Sequence, residues 1–118
     1  MSQPGKLTSP RAPVTDDIRE AKRRLVAKFR PEKIILFGSQ ARGTADSRSD
    51  VDLLVVLPFT GNRRRLFVQM DLALSGIPQA FDLVIRTPEQ FARSRAIPGQ
   101  VDRYAAQEGR VIYARRAA

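Results

Sequence analysis

Three carboxylates stand out by their surroundings. Asp50 and Asp52 sit at the head of Ser49-Asp50-Val51-Asp52-Leu53-Leu54-Val55, and Asp82 lies inside Phe81-Asp82-Leu83-Val84-Ile85. Both runs are otherwise apolar and read as strands. Two residues apart on a strand, Asp50 and Asp52 point to one face, with Cα atoms about 7 Å apart. At an effective dielectric of about 20, two charges at that distance repel by roughly 2 kcal/mol. Desolvation adds to the cost, and a hard divalent cation would remove the repulsion. Each part alone has a plainer explanation. Asp50 can be a solvated turn residue, with Asp52 capping or pairing with an Arg. Asp82 can pair with Arg86, two residues on and on the same face.

A second element precedes the carboxylates. Lys33 to Phe37 (KIILF) is a short apolar run that suits a buried strand, and Gly38-Ser39 breaks it. Glycine lets a backbone approach a ligand closely, and N–H groups opening a helical turn favour phosphate. The Ser39 hydroxyl can add a hydrogen bond. Gly-Ser after a strand is also a common turn. Together the elements describe one device, a phosphate cradle followed by a carboxylate pair and a third carboxylate. Two Mg²⁺ ions held this way can clamp a nucleoside triphosphate and activate an attacking hydroxyl.

The composition narrows the chemistry further. The chain contains no Cys and no His, which excludes thiol catalysis, Cys/His zinc sites and His-based triads. A metal must then be held by oxygen. Lys and Arg number 21 against 12 Asp and Glu, for a net charge of +9. Such a balance suits a nucleotide, a nucleic acid or an acidic protein face, and equally an Arg-rich source. Aromatics at 7% are few for a base-stacking platform, so RNA is not the favoured partner. No apolar run is long enough to span a bilayer, and residues 1–14, with Pro4, Pro10 and Pro13, do not resemble a signal peptide. The expectation is a cytoplasmic protein with a disordered tail over 1–14 and one domain over 15–118.

The remaining pattern supplies a scaffold. Thr15 or Asp17 can cap a first helix, whose apolar positions Ile18, Ala21, Leu25 and Phe29 recur at helical spacing. Arg30-Pro31 ends it. Ser39 to Arg42 forms a helical turn closed by Gly43, and Thr44 to Ser49 reads as a turn. Val51 to Leu57 is a second strand. Asn62 caps a helix bearing Leu66, Phe67 and Met70, expected in the core; its Arg63-Arg64-Arg65 start opposes the helix dipole and suits first a solvated face, then an acidic partner or RNA. Ala80 to Arg86 is a third strand. Thr87-Pro88-Glu89-Gln90 has the form of a capping box. A break at Pro98-Gly99, a helix over Gln100 to Glu108 ended by Gly109, and a short strand over Val111 to Tyr113 complete the chain. Strands alternating with helices argue an α/β or α+β sheet domain.

Gly38-Ser39-Gln40-Ala41-Arg42-Gly43, followed after Ser39 by ten residues and then Asp50-Val51-Asp52, resembles the signature of polymerase-beta-like nucleotidyltransferases. Asp82 matches the third Asp of that pattern. The chain is most similar to the minimal nucleotidyltransferase (MNT) group, over about Arg30 to Arg86 and again over Glu108 to Tyr113. The resemblance implies a small mixed β-sheet flanked by helices. It implies that Gly38 and Ser39 bind the triphosphate, assisted by Arg42. Asp50, Asp52 and Asp82 would be both catalytic and metal-binding, with two Mg²⁺ ions and ATP or another NTP. Asp82 would also help to deprotonate the acceptor hydroxyl. Such proteins are often antitoxins paired with a HEPN-type toxin, and some transfer AMP to a Tyr of it. Larger relatives carry a helical domain after the catalytic strands. Here 36 residues follow Asp82, which favours an open acceptor site or a partner that completes it. Two other functions stay open: transfer to a small molecule or an RNA end, and a non-catalytic partner-binding module.

Overall fold

The structure, a computed structural model, describes residues 11–42 and 50–116. Its first helix, α1 (Arg11–Phe29), starts ahead of the expected cap at Thr15 or Asp17. Pro13 falls in its first turn, where a missing N–H costs no helical hydrogen bond. Of the expected tail, residues 1–10 lie outside the described residues. Ahead of Pro31, Arg30 leaves the helix with φ 51°.

The strands are β1 (Lys33–Phe37), β2 (Val51–Val56), β3 (Phe81–Arg86) and β4 (Arg110–Ala114). They form one mixed sheet in the order β3-β2-β1-β4. β1 runs antiparallel to both β2 and β4, while β2 and β3 are parallel. The parallel pair requires a crossover, and α3 (Arg63–Ala73) supplies it. The Asn62 side chain caps α3 by accepting from the Arg65 N–H. The helical turn α2 (Ser39–Arg42) follows β1; Gly43 and the turn expected over 44–49 lie outside the described residues.

Alternation along the strands separates two cores. On one face Ile34, Leu36, Val51, Leu53, Val55, Leu83 and Ile85 pack with Ala21 and Leu25 of α1, Met70 of α3 and Leu74. Phe67, expected in the core, is instead 39% exposed. It precedes Met70 by three residues, but the buried stripe of α3 is narrow and takes Leu66 and Met70. On the other face Ile35, Phe37, Leu54 and Val56 pack against Phe91 of α4 (Pro88–Ser94) and Ala105 of α5 (Val101–Glu108). Thr87 and Gln90 make the full capping box at the start of α4. Among the described residues, no helix is long and apolar enough to cross a membrane.

Candidate active site

Strand direction brings the sequence candidates to one end of the sheet. β1 arrives there with Phe37 and Gly38, β2 leaves from there with Asp50 and Asp52, and β3, parallel to β2, leaves with Asp82. Register is specific: Phe37 is opposite Asp52, and Asp52 is opposite Asp82. The Val51 N–H donates to the Ala80 carbonyl at 2.9 Å, tying the starts of β2 and β3 together. Asp52 shares the face of Leu54 and Val56, and Asp82 that of Val84 and Arg86. This is the face covered farther along by α4 and α5, which leave its carboxylate end open.

Gly38 adopts φ +78°, the left-handed region, and a Cβ there would collide with the Asp52 carboxylate. Backbone and carboxylate are therefore in direct contact, and two independent requirements select glycine. Ser39 opens α2 beside it, half-buried. Arg42 closes α2, and its side chain lies outside what is described.

Asp52 is partly buried, whereas Asp50 and Asp82 are exposed. Burial pushes the Asp52 carboxyl above its usual range; the charges of Asp82 and Asp50 and hydrogen-bond contact with Asp82 push it further. No ion pair reaches these three residues among the described residues. Arg86, the alternative partner for Asp82, is engaged elsewhere. Its Nε donates to both carboxylate oxygens of Asp102, at 2.9 and 3.1 Å. Asp82 sits at the solvent edge of its strand rather than inside the core, so its charge does not require a buried partner.

Among the described residues, no cluster of three acidic side chains is already gathered at metal-ligand spacing. The donor set nevertheless fits a hard divalent ion. It is anionic and all-oxygen, with a mutually repelling pair at Asp52 and Asp82 and Asp50 close enough to act on it.

Sequence reasoning missed Asp102, which is 0% exposed and accepts from Arg86 and from the Ser94 hydroxyl. Its only sequence signal was an acidic residue in a helical first turn, which reads as a dipole partner. Tyr104 was missed as well. Its ring meets Phe37 edge-on at 6.4 Å, beside the position opposite Asp52.

A sequence profile of the nucleotidyltransferase domain matches residues 18–111, from within α1 to the start of β4. The chain belongs to the nucleotidyltransferase domain family. By that membership it is an enzyme of nucleotidyl transfer. The fold of this nucleotidyltransferase is similar to that of a Sulfolobus solfataricus protein proposed to be a nucleotidyltransferase. The identity is 19%, 92% of this chain and 93% of that one are covered, and the TM-score is 0.55. It is also similar to a chain in a crystal structure of a toxin–antitoxin with AMP-PNP, at 24% identity, 86% and 73% coverage and a TM-score of 0.54. No curated protein matches the chain.

Proposed function

We propose that the open end of the sheet is the transfer centre, and that it moves a nucleoside monophosphate from an NTP to a hydroxyl of a partner protein. One observation carries the reading: Asp52 lies against the Gly38 backbone with Asp82 directly opposite and no basic side chain in ion-pair contact among the described residues. Asp50, Asp52 and Asp82 would hold two Mg²⁺ ions, which when bound neutralise the triphosphate and the charge that develops during transfer. Gly38, having no side chain, lets the triphosphate approach the backbone, and the Ser39 hydroxyl donates to it. Arg42 assists from the end of α2. Asp82, at the solvent edge, takes the proton of the acceptor hydroxyl as its oxygen bonds to the α-phosphorus and pyrophosphate leaves. Holding the acceptor beside that bond is worth several kcal/mol by proximity alone.

An open site favours a macromolecular acceptor over an enclosed small molecule, and the exposure of Asp50 and Asp82 supports one. The fold neighbour solved as a toxin–antitoxin with AMP-PNP supports an adenine nucleotide and a protein partner. The sequence resemblance supports an antitoxin role and a HEPN-type toxin as the acceptor, in the cytoplasm. The test is label transfer from α-labelled ATP and Mg²⁺ into a cell extract, with Asp50→Asn/Asp52→Asn as the control. Mutant-sensitive label in a discrete protein band is expected. Label in RNA or a small molecule would retain the transferase and reject the protein acceptor, and transfer undiminished in the variant would reject the site.

A further inference from the structure

A cavity of about 760 Å³ lies at the opposite end of the sheet, where β1 begins and β2 and β4 end. Its floor includes Val56 and Phe91, and its rim carries Lys33, Arg95, Arg115 and Arg116 with one carboxylate, Glu32. The four steps of β1 from Lys33 to Phe37 separate it from the carboxylate end by about 13 Å.

The rim is unbalanced. Of the four rim cations, Arg115 alone has an acidic partner among the described residues, lying 3.8 Å from Glu32, and it also donates to the Arg30 carbonyl at 3.3 Å. Among the described residues, no carboxylate lies within ion-pair distance of Lys33, Arg95 or Arg116. Lys33 and Arg95 are instead steadied by the Phe91 ring. The Lys33 Nζ lies 6.0 Å from the ring centroid and the Arg95 guanidinium carbon 5.1 Å. A ring holds a cation in place without neutralising it. Four cations against one carboxylate leave a net +3 around the mouth, and an anionic occupant would relieve their mutual repulsion.

The floor discriminates between anions. Phe91 is only 5% exposed and already carries two cations, so it has no free face for a nucleobase. A concave apolar floor inside a cationic rim suits an apolar side chain flanked by carboxylates, and the volume is that of a site for a ligand of this size. We propose that this cavity docks an acidic peptide segment of a partner protein, seating one apolar side chain against the apolar lining of Pro88, Ala92 and Ala114, between carboxylates held by Lys33, Arg95 and Arg116. The site is independent of the transfer chemistry.

The test is fluorescence anisotropy on the full chain, with a labelled peptide of glutamates flanking a central leucine. Saturable binding is expected, weakened at least about tenfold in Arg95→Glu/Arg116→Glu, weakened when serine replaces the leucine, and unchanged in Asp50→Asn/Asp52→Asn. Arg95 and Arg116 are both exposed, so the reversals replace no core side chain, although Arg95→Glu also removes a cation from the Phe91 ring. Arg116→Glu by itself, with circular dichroism, separates charge loss from misfolding. No saturable binding, equal affinity in the folded charge-reversal variants, or tighter competition by oligouridine RNA than by the unlabelled peptide would each overturn the proposal. So would loss of peptide binding in the Asn variant, which would move the site to the carboxylate end.

Discussion

Gly38 and Asp52 constrain one another. An alanine at 38 would demand a left-handed backbone, costing roughly 1–2 kcal/mol, and would drive its methyl into the Asp52 carboxylate. Since small displacements at a reacting centre are expensive, Gly38→Ala should lower transfer by about 100-fold while circular dichroism stays native. Asp52 also carries a stability signature. Its carboxyl titrates above its ordinary 3.8 in the folded chain, so folding favours the protonated form. That contribution is complete below the unfolded value and is lost as pH rises through the raised folded value. Without divalent cations, Asp52→Asn should therefore be the more stable protein at neutral pH. Partial exposure screens the effect to about 1 kcal/mol or less, or about 4 °C in Tm. The gap should close in acid; a Tm difference that is constant with pH would contradict it.

The elements are held by a few specific bonds. Arg86 on β3, Ser94 on α4 and Asp102 on α5 meet in one buried network, which pins both helices onto the face that ends in the carboxylates. Asp102 is fully buried and Arg86 largely so. Removing one partner leaves the other charged and unpaired, so Asp102→Ala should cost about 3–5 kcal/mol, and Ser94→Ala only about 1 kcal/mol, by urea denaturation. Gly109 joins α5 to β4 where a Cβ would strike the Ala105 carbonyl and Ile35 Cγ2. Its substitution by alanine should cost about 1–3 kcal/mol. The element pattern was legible because each piece carries its own marker: the KIILF strand, the Asn62 cap and the Thr87–Gln90 capping box all appear where the sequence places them. Phe67 was misread because its period fits the core, while only packing decides how wide the buried stripe of α3 is.

At the scale of the molecule, the two ends of the sheet carry opposite chemistry, acidic where β2 and β3 begin and basic where β1 begins and β2 and β4 end. Binding that favours the folded state raises stability by mass action, by about 2.7 kcal/mol at a hundredfold excess over Kd. Millimolar Mg²⁺ should therefore raise the Tm of the wild type but not that of Asp50→Asn/Asp52→Asn, and EDTA should abolish label transfer until Mg²⁺ is restored. An equal Mg²⁺ shift in both proteins would mean that the ion is held elsewhere.

The sequence by itself determined the strands, most helix boundaries and the candidate residues Gly38, Ser39, Asp50, Asp52 and Asp82. Strand period, caps and short-range spacing are local properties, written in neighbouring residues. What Asp82 faces was not local. Arg86 was its nearest apparent partner, and only the docking of α5 gave that guanidinium to Asp102. Tertiary structure also decided that Asp52 lies between Phe37 and Asp82 in register, and that Lys33, Arg95 and Arg116 share one cavity. Those relations join residues far apart in the chain, and they exist only once the sheet has closed its order and the helices have covered its faces.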